Sequence, residues 1–267
     1  MKTRIVFMLL LVALLISSFA CKKKTDDTQP GDDIAAAIVS FAPLPSFKTV
    51  YEVLDHLNVK DISSAVPHEL YKTKQEEMRN AFSLGVLTAD AILAARGRNS
   101  AKLKDISSQM LSLTGLLGLD NELSQMGDEL KGLIEKQEWD KLDDALDHYK
   151  KSVEDILFEK ENFDNYTLMI LGGWMEAANR VAWLVSQNYS EEYSRVLGQK
   201  GTFNSLVGNM KEIDTEHYTE QEAFKTSLKH LIALQEIISS DIEGSYNKNQ
   251  LTTIIEGTSD IKKAFQK

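Results

Sequence analysis

The sequence predicts an all-α protein, an irregular multi-helix bundle of about nine helices joined by short links. Its four prolines all lie before residue 68, so no proline interrupts a helix in the remaining three quarters of the chain. Apolar residues recur through that region with the spacing of a helical face. Runs of alternating β-branched residues, which are typical of strands, do not occur in it.

Turn and capping residues separate the predicted helices. Ser46 is a predicted N-cap, and Pro67 opens a longer helix that ends near Gly97. Thr219 and Glu222 match the spacing of a capping box. Short links between helices favour neighbours that run antiparallel. The predicted helical ranges are 47–58, 68–96, 102–117, 120–136, 138–160, 162–188, 190–197 with a continuation to 213, 219–243 and 247–265.

One of these helices has the spacing of a known repeat. Residues 139–149 follow the pattern Trp-x-x-Leu-x-x-Ala-Leu-x-x-Tyr, which is similar to a tetratricopeptide helix. The pattern occurs once, and the other predicted helices do not echo it. A repeat array needs several copies to bury a continuous core, so it remains the alternative to the irregular bundle.

The amino terminus is typical of an export signal. Lys2 and Arg4 precede an apolar run from Ile5 to Ala20, which is shorter than the roughly 20 residues that cross a bilayer. Cys21 is the only cysteine of the chain and follows a small residue. This arrangement resembles a bacterial lipoprotein signal, in which Cys21 would be the site of lipid attachment. Ordinary cleavage after Ala20, and an uncleaved anchor, are the alternatives.

The chain therefore divides into three predicted parts. These are a signal peptide over residues 1–20, a lipid-anchored flexible tether over 21–33 and a single all-helical domain over 34–267. Three lysines after Cys21 suit anionic lipid headgroups. The formal net charge of −10 opposes binding to phosphate backbones, so nucleic acid is not an expected partner.

Two segments of the predicted domain carry a family resemblance. Residues 80–90 read NAFSLGVLTAD, and residues 171–176 read LGGWME. With Leu44-Pro45-Ser46, they resemble an uncharacterised family of all-helical lipoproteins from Gram-negative bacteria, whose segments read like LGVYxADL and GGWxE. The chain departs from that pattern at Leu87, Thr88 and residues 177–179. The resemblance implies a fold and a place in the envelope, and it supplies no catalytic residue.

The same segments place ionisable residues on apolar helices. Asp90 stands among Val86, Leu87 and Ala94, and an unpaired carboxylate there would be costly to bury. Glu176 and Arg180 are spaced i,i+4 and can pair. Two hypotheses follow: Asp90, Glu176 and Arg180 line a pocket for a polar ligand, or they form a structural polar network between two central helices. A third possibility is that Arg180 lies at the surface over apolar neighbours.

Small and aromatic residues beside Glu176 extend this candidate cluster. Gly172 and Gly173 lack side chains, which allows another backbone to approach closely. Trp174 follows them directly, and Trp139 and Trp183 are the other tryptophans. Tryptophans at helical spacing fit either a core or a pocket for a carbohydrate or apolar ligand. The candidate site from the sequence is Asp90, Glu176, Arg180, Gly172, Gly173 and Trp174.

No sequence motif points to a reaction. None of the five histidines follows a glutamate by three residues, so the di-iron helical pattern is missing, and no His-Glu-x-x-His occurs. The chain has no Gly-x-Ser-x-Gly elbow and no phosphate-binding Gly-rich loop ending in Lys-Ser or Lys-Thr. We therefore expect no catalytic residue, no metal ion and no cofactor.

These observations favour a lipid-anchored protein of the Gram-negative cell envelope, expected at the outer membrane, that acts by binding or has a structural role. Its expected partners are the membrane, through the lipid, and a small molecule or another envelope protein. One alternative is an envelope hydrolase that uses carboxylates near Asp90 and Glu176. The other is a helical scaffold for protein partners, which would present a concave apolar groove.

Overall fold

The structure is a computed structural model that describes residues 46–69, 76–240 and 245–267. All of the regular structure in these residues is helical. It contains eleven α-helices and two 3-10 helices, where about nine helices were predicted. The 3-10 helices are Phe47–His56 and Arg195–Leu197. The α-helices are α1 (Val59–Ala65), α2 (Glu77–Arg96), α3 (Ser100–Leu116), α4 (Asp120–Lys136), α5 (Trp139–Glu159), α6 (Phe163–Gln187), α7 (Glu191–Ser194), α8 (Lys200–Glu212), α9 (Glu216–Thr219), α10 (Glu222–Ser240) and α11 (Lys248–Gln266).

The predicted amino-terminal parts lie outside the described residues. They are the signal peptide, the tether and the lipid-attachment residue Cys21. No helix in the part of the chain that the structure describes combines the length and the apolar character that a membrane span requires.

Two predicted helix starts are wrong. The helix predicted from His68 begins at Glu77, because His68 and Glu69 form bends after a separate short helix, α1. The predicted capping box at Thr219 is absent because Thr219 is the last residue of α9. The capping box of the described chain is at the start of α11, where the side chains of Asn247 and Gln250 each accept a hydrogen bond from the backbone N–H of the other.

Helices α2 and α6 form the centre of the bundle. Seventeen of the twenty residues of α2 and nineteen of the twenty-five of α6 are buried, so both helices are covered on nearly all sides. Helices α3, α4 and α5 follow one another on one side, and α5 packs back on α2. On the other side α11 packs on α6, α10 packs on α11, and α8 packs on α10.

Helices α2, α3, α4 and α5 all end with the same type of C-terminal turn. In each, a residue with a left-handed backbone is followed by a residue whose N–H donates to the carbonyl five positions earlier, which defines a Schellman motif. Glycine occupies the left-handed position only after α3. The four left-handed residues are Arg98 (φ 53°), Gly118 (φ 67°), Gln137 (φ 54°) and Glu161 (φ 58°).

Replacing Glu161 with glycine should therefore stabilise the fold. A left-handed backbone costs a residue with a Cβ about 1 to 2 kcal/mol, and glycine avoids this cost. The greater flexibility of glycine in the unfolded chain offsets part of the resulting stabilisation. We expect a net increase of about 0.5 to 1 kcal/mol in the free energy of unfolding, measured in urea. Glu161→Ala is the control, because it removes the carboxylate and keeps the Cβ; an equal effect of both variants would contradict the backbone explanation.

Candidate functional site

The site begins where the backbones of α2 and α6 touch. A Cβ added to Gly85 of α2 would overlap the carbonyl oxygen of Met169 and would lie 2.7 Å from the amide nitrogen of Gly173. A Cβ added to Gly172 of α6 would overlap the carbonyl oxygen of Phe82. The close backbone approach expected from the glycines is present at Gly172, and Gly85 is its counterpart on α2. At Gly173 the space that a Cβ would fill is taken by the ring of Phe47.

One helical turn beyond this contact, ionisable side chains from three helices meet in the core. Asp90 of α2 and Glu176 of α6 are 2% and 1% exposed. The two carboxyl groups lie close enough for each to shift the pKa of the other, and Oδ1 of Asp90 accepts no hydrogen bond from the described residues. Arg180 of α6 donates from Nε to Oε1 of Glu176 and lies 3.8 Å from Oδ1 of Asp90. Lys262 of α11 donates from Nζ to Oε2 of Glu176. Each oxygen of the Glu176 carboxylate thus has its own cationic partner.

Asn179 extends this network along α11. Its Nδ2 lies 2.9 Å from Oγ1 of Thr258 and 3.0 Å from both the carbonyl oxygen of Ile255 and Oγ of Ser259. Its Oδ1 accepts from Nζ of Lys262 at 3.4 Å. The amide therefore links α6 to α11 and helps to orient the lysine that pairs with Glu176.

The two buried carboxyl groups are driven to opposite protonation states. Burial and the negative charge of Glu176 raise the pKa of Asp90 well above its usual range. Burial also disfavours the charge on Glu176, but the charges and hydrogen bonds of Lys262 and Arg180 outweigh it and bring the pKa of Glu176 to about 2. These shifts favour a protonated Asp90 beside an ionised Glu176, an arrangement in which the Asp90 hydroxyl can donate to the Glu176 carboxylate.

Because of this pair, the free energy of unfolding should fall with pH in one range and rise with pH in another. Folding lowers the pKa of Glu176 from 4.5 to about 2, so its stabilisation is complete above pH 4.5 and is lost as the pH falls toward 2. Folding raises the pKa of Asp90 above 3.8, so the stabilisation from its proton is lost as the pH rises above that value.

An asparagine at Asp90 does not titrate, which gives a direct measurement. Urea unfolding of Asp90→Asn should show a smaller loss of stability than the parent chain as the pH rises above about 4. Both proteins should lose stability below pH 4.5, because both keep Glu176. Parallel stability curves above pH 4 would contradict a neutral Asp90.

The structure brings together three of the residues that the sequence singled out, Asp90, Glu176 and Arg180. Arg180 does not merely lie over apolar neighbours, although a quarter of its side chain is exposed. Trp174 is fully buried and packs edge-on against Phe203. The six candidate residues therefore belong to the packed junction of α2 and α6.

Sequence reasoning missed Lys262, Asn179 and the packing role of Gly85. Lys262 stands beside Lys263, which pairs at the surface with Asp260 at 3.2 Å, and no local signal separates the two lysines. Gly85 offered a signal, because it is a glycine inside an apolar helix with no turn nearby. Asn179 lies on the same helix as Glu176, yet its partners on α11 are distant in sequence.

Three clefts with described linings lie away from this network. The largest, about 390 Å³, is lined by residues of the first 3-10 helix, α1, α2 and α5, including Trp139. The others lie beside Arg79 and His230, and between α4 and α5 beside His148. Neither Asp90 nor Glu176 lines any of the three. Within the described ranges, no group of three or more His, Cys, Asp and Glu side chains is placed to hold a metal ion.

Comparison with known proteins gave no match to a protein family, to a curated protein or to a solved structure.

Proposed function

We propose that this chain is a lipid-anchored helical protein of the Gram-negative cell envelope that binds a ligand or partner or has a structural role, without catalysis. The observation that carries the absence of catalysis is the buried ionic network at the junction of α2, α6 and α11. Glu176 accepts hydrogen bonds from Arg180 and Lys262, Asp90 lies 3.8 Å from Arg180, and both carboxyl groups are 2% exposed or less. Buried networks of this kind fix how helices meet.

The anchoring half of the proposal rests on Cys21 and the export signal before it. Mass measurement of protein from the membrane fraction should find a mature chain that begins at Cys21 and carries lipid. Cys21→Ser should release the protein from that fraction. Recovery of the parent chain in soluble fractions with an unmodified terminus would contradict the anchor.

A second candidate function, a carboxylate hydrolase, is favoured by one observation. The pKa values of Asp90 and Glu176 are driven in opposite directions, as in enzymes that use one carboxylic acid and one carboxylate. Burial argues against this function, because the general acid of a hydrolase must reach its substrate. The two functions differ in whether reagents in solution can reach the pair.

Carbodiimide labelling tests that difference. Native protein would be treated with carbodiimide and glycine amide, and labelled carboxyl groups would be mapped by mass spectrometry. Asp128, whose side chain is 79% exposed, should be labelled quickly, whereas Asp90 and Glu176 should react only in denaturant. Labelling of Asp90 in the native protein at a rate near that of Asp128 would favour the hydrolase.

A further inference from the structure

The Trp139 cleft, the largest of the three clefts, has a lining with both apolar and polar parts. Leu54, Ile62 and Ala95 line it and are buried, so they close its inner side. Trp139 lines it as the first residue of α5 and is partly buried. A volume of about 390 Å³ falls in the range of clefts that hold small molecules.

Ion pairs hold part of this lining in place. The guanidinium of Arg96 donates to Oδ1 of Asp55 at 3.0 Å, to Oδ1 of Asp143 at 3.3 Å and to the carbonyl oxygen of Tyr51 at 3.3 Å. Asp143 also pairs with Lys48 at 3.1 Å. The first 3-10 helix and α5 thus fix Arg96, and its Nη2 makes no hydrogen bond to the described residues.

Three other residues of the lining have polar side chains that make no hydrogen bond within the described chain. They are Trp139, Asp140 and Arg98, and the last two are exposed. Arg98 holds its left-handed backbone at a position where glycine is the usual residue. A non-glycine residue that adopts this unfavourable backbone conformation is a candidate for a functional role.

We propose that the Trp139 cleft binds a neutral saccharide. The unpaired charges are one cation and one anion, so the cleft does not select a ligand with a net charge. Hydroxyl groups both donate and accept, which matches the acceptor Asp140 and the donors Arg98 and Arg96 Nη2. The C–H face of a sugar ring packs on an indole ring and on apolar side chains. This assignment rests on the proposed binding role.

Calorimetry and tryptophan fluorescence would test this assignment on the protein as the cell makes it. The probes are glucose, galactose and N-acetylglucosamine, free and as short polymers, with glucuronate as an anionic control and leucine as a zwitterionic control. Trp183→Phe reduces the background emission without touching the cleft. We expect saturable binding of at least one neutral saccharide. Binding of the free sugars alone would identify a monosaccharide as the ligand, and binding of the polymers alone would identify a polysaccharide. Binding of only glucuronate or leucine, or of no probe, would overturn the proposal.

The variants separate binding from folding. Trp139→Ala and Asp140→Asn should each weaken saccharide binding by about tenfold or more. Arg98→Gly should raise the melting temperature, since glycine suits its backbone, and still weaken binding by about tenfold. Glu161→Gly changes the same kind of turn outside the cleft and should raise the melting temperature with binding unchanged. Unchanged affinity in Arg98→Gly and Asp140→Asn would overturn the site.

Failure here is distinct from failure of the proposed function. A lipid on Cys21 and a native Asp90 that resists carbodiimide would leave the general proposal standing without saccharide binding.

Discussion

Alanine at Gly85 is expected to lower the free energy of unfolding by about 3 kcal/mol, although alanine favours helices more than glycine does. The added methyl group would overlap the carbonyl oxygen of Met169, which is backbone and cannot rotate away. Helices α2 and α6 must therefore separate along the centre of the core. Chemical denaturation gives the measurement.

The control is an alanine at Gly208 of α8, where no atom lies within 4 Å of the added Cβ. This variant should gain about 0.5 to 1 kcal/mol from helix propensity. The double variant Gly85→Ala/Gly172→Ala should lose less than the sum of the two single losses, because one separation of the helices relieves both overlaps. A loss below about 1 kcal/mol for Gly85→Ala would show that the helices are not in backbone contact.

Glutamine at Glu176 is expected to destabilise the fold by about 3 to 5 kcal/mol, as breaking a buried ion pair does. It removes the carboxylate charge that pairs with both Arg180 and Lys262. The change keeps the shape of the side chain, so lost packing does not explain the effect. Thermal and urea unfolding at neutral pH would measure it.

Asparagine at Asp90 is the matched comparison. The amide keeps the shape of a protonated carboxyl group and its hydrogen-bond donor. We expect a change of about 1 kcal/mol or less at about pH 4. At neutral pH the variant should be more stable than the parent, because folding raises the pKa of Asp90 and the parent must bind a proton that the amide does not need. Asp260→Asn, which breaks the exposed pair with Lys263, should also change stability by less than about 1 kcal/mol. Equal losses for Asp90→Asn and Glu176→Gln would contradict the split protonation.

Local sequence signals predicted much of the fold. The predicted bounds of α4 are those observed, and Ser46 and Ser190 accept hydrogen bonds from the first turns that they cap. These features depend on neighbouring residues only. The left-handed backbones of Arg98 and Gln137 were not predictable, since both residue types are common in helices and only the packing of the turn imposes the conformation.

The candidate site was predictable in its chemistry and not in its full membership. A carboxylate on an apolar helix requires a partner, which is why Asp90, Glu176 and Arg180 were expected to meet. Lys262, the second cation that pairs with Glu176, belongs to α11. The helical pattern does not show which lysine of α11 faces the core, because tertiary packing decides it.

The near-complete burial of α2 also bears on how the protein is made. Synthesis completes α2 well before α6, so this apolar helix exists for a time without the surface that will cover it. Transiently exposed apolar surface favours aggregation. The unfinished chain is therefore more prone to aggregate than the protein in which α2 has packed on α6.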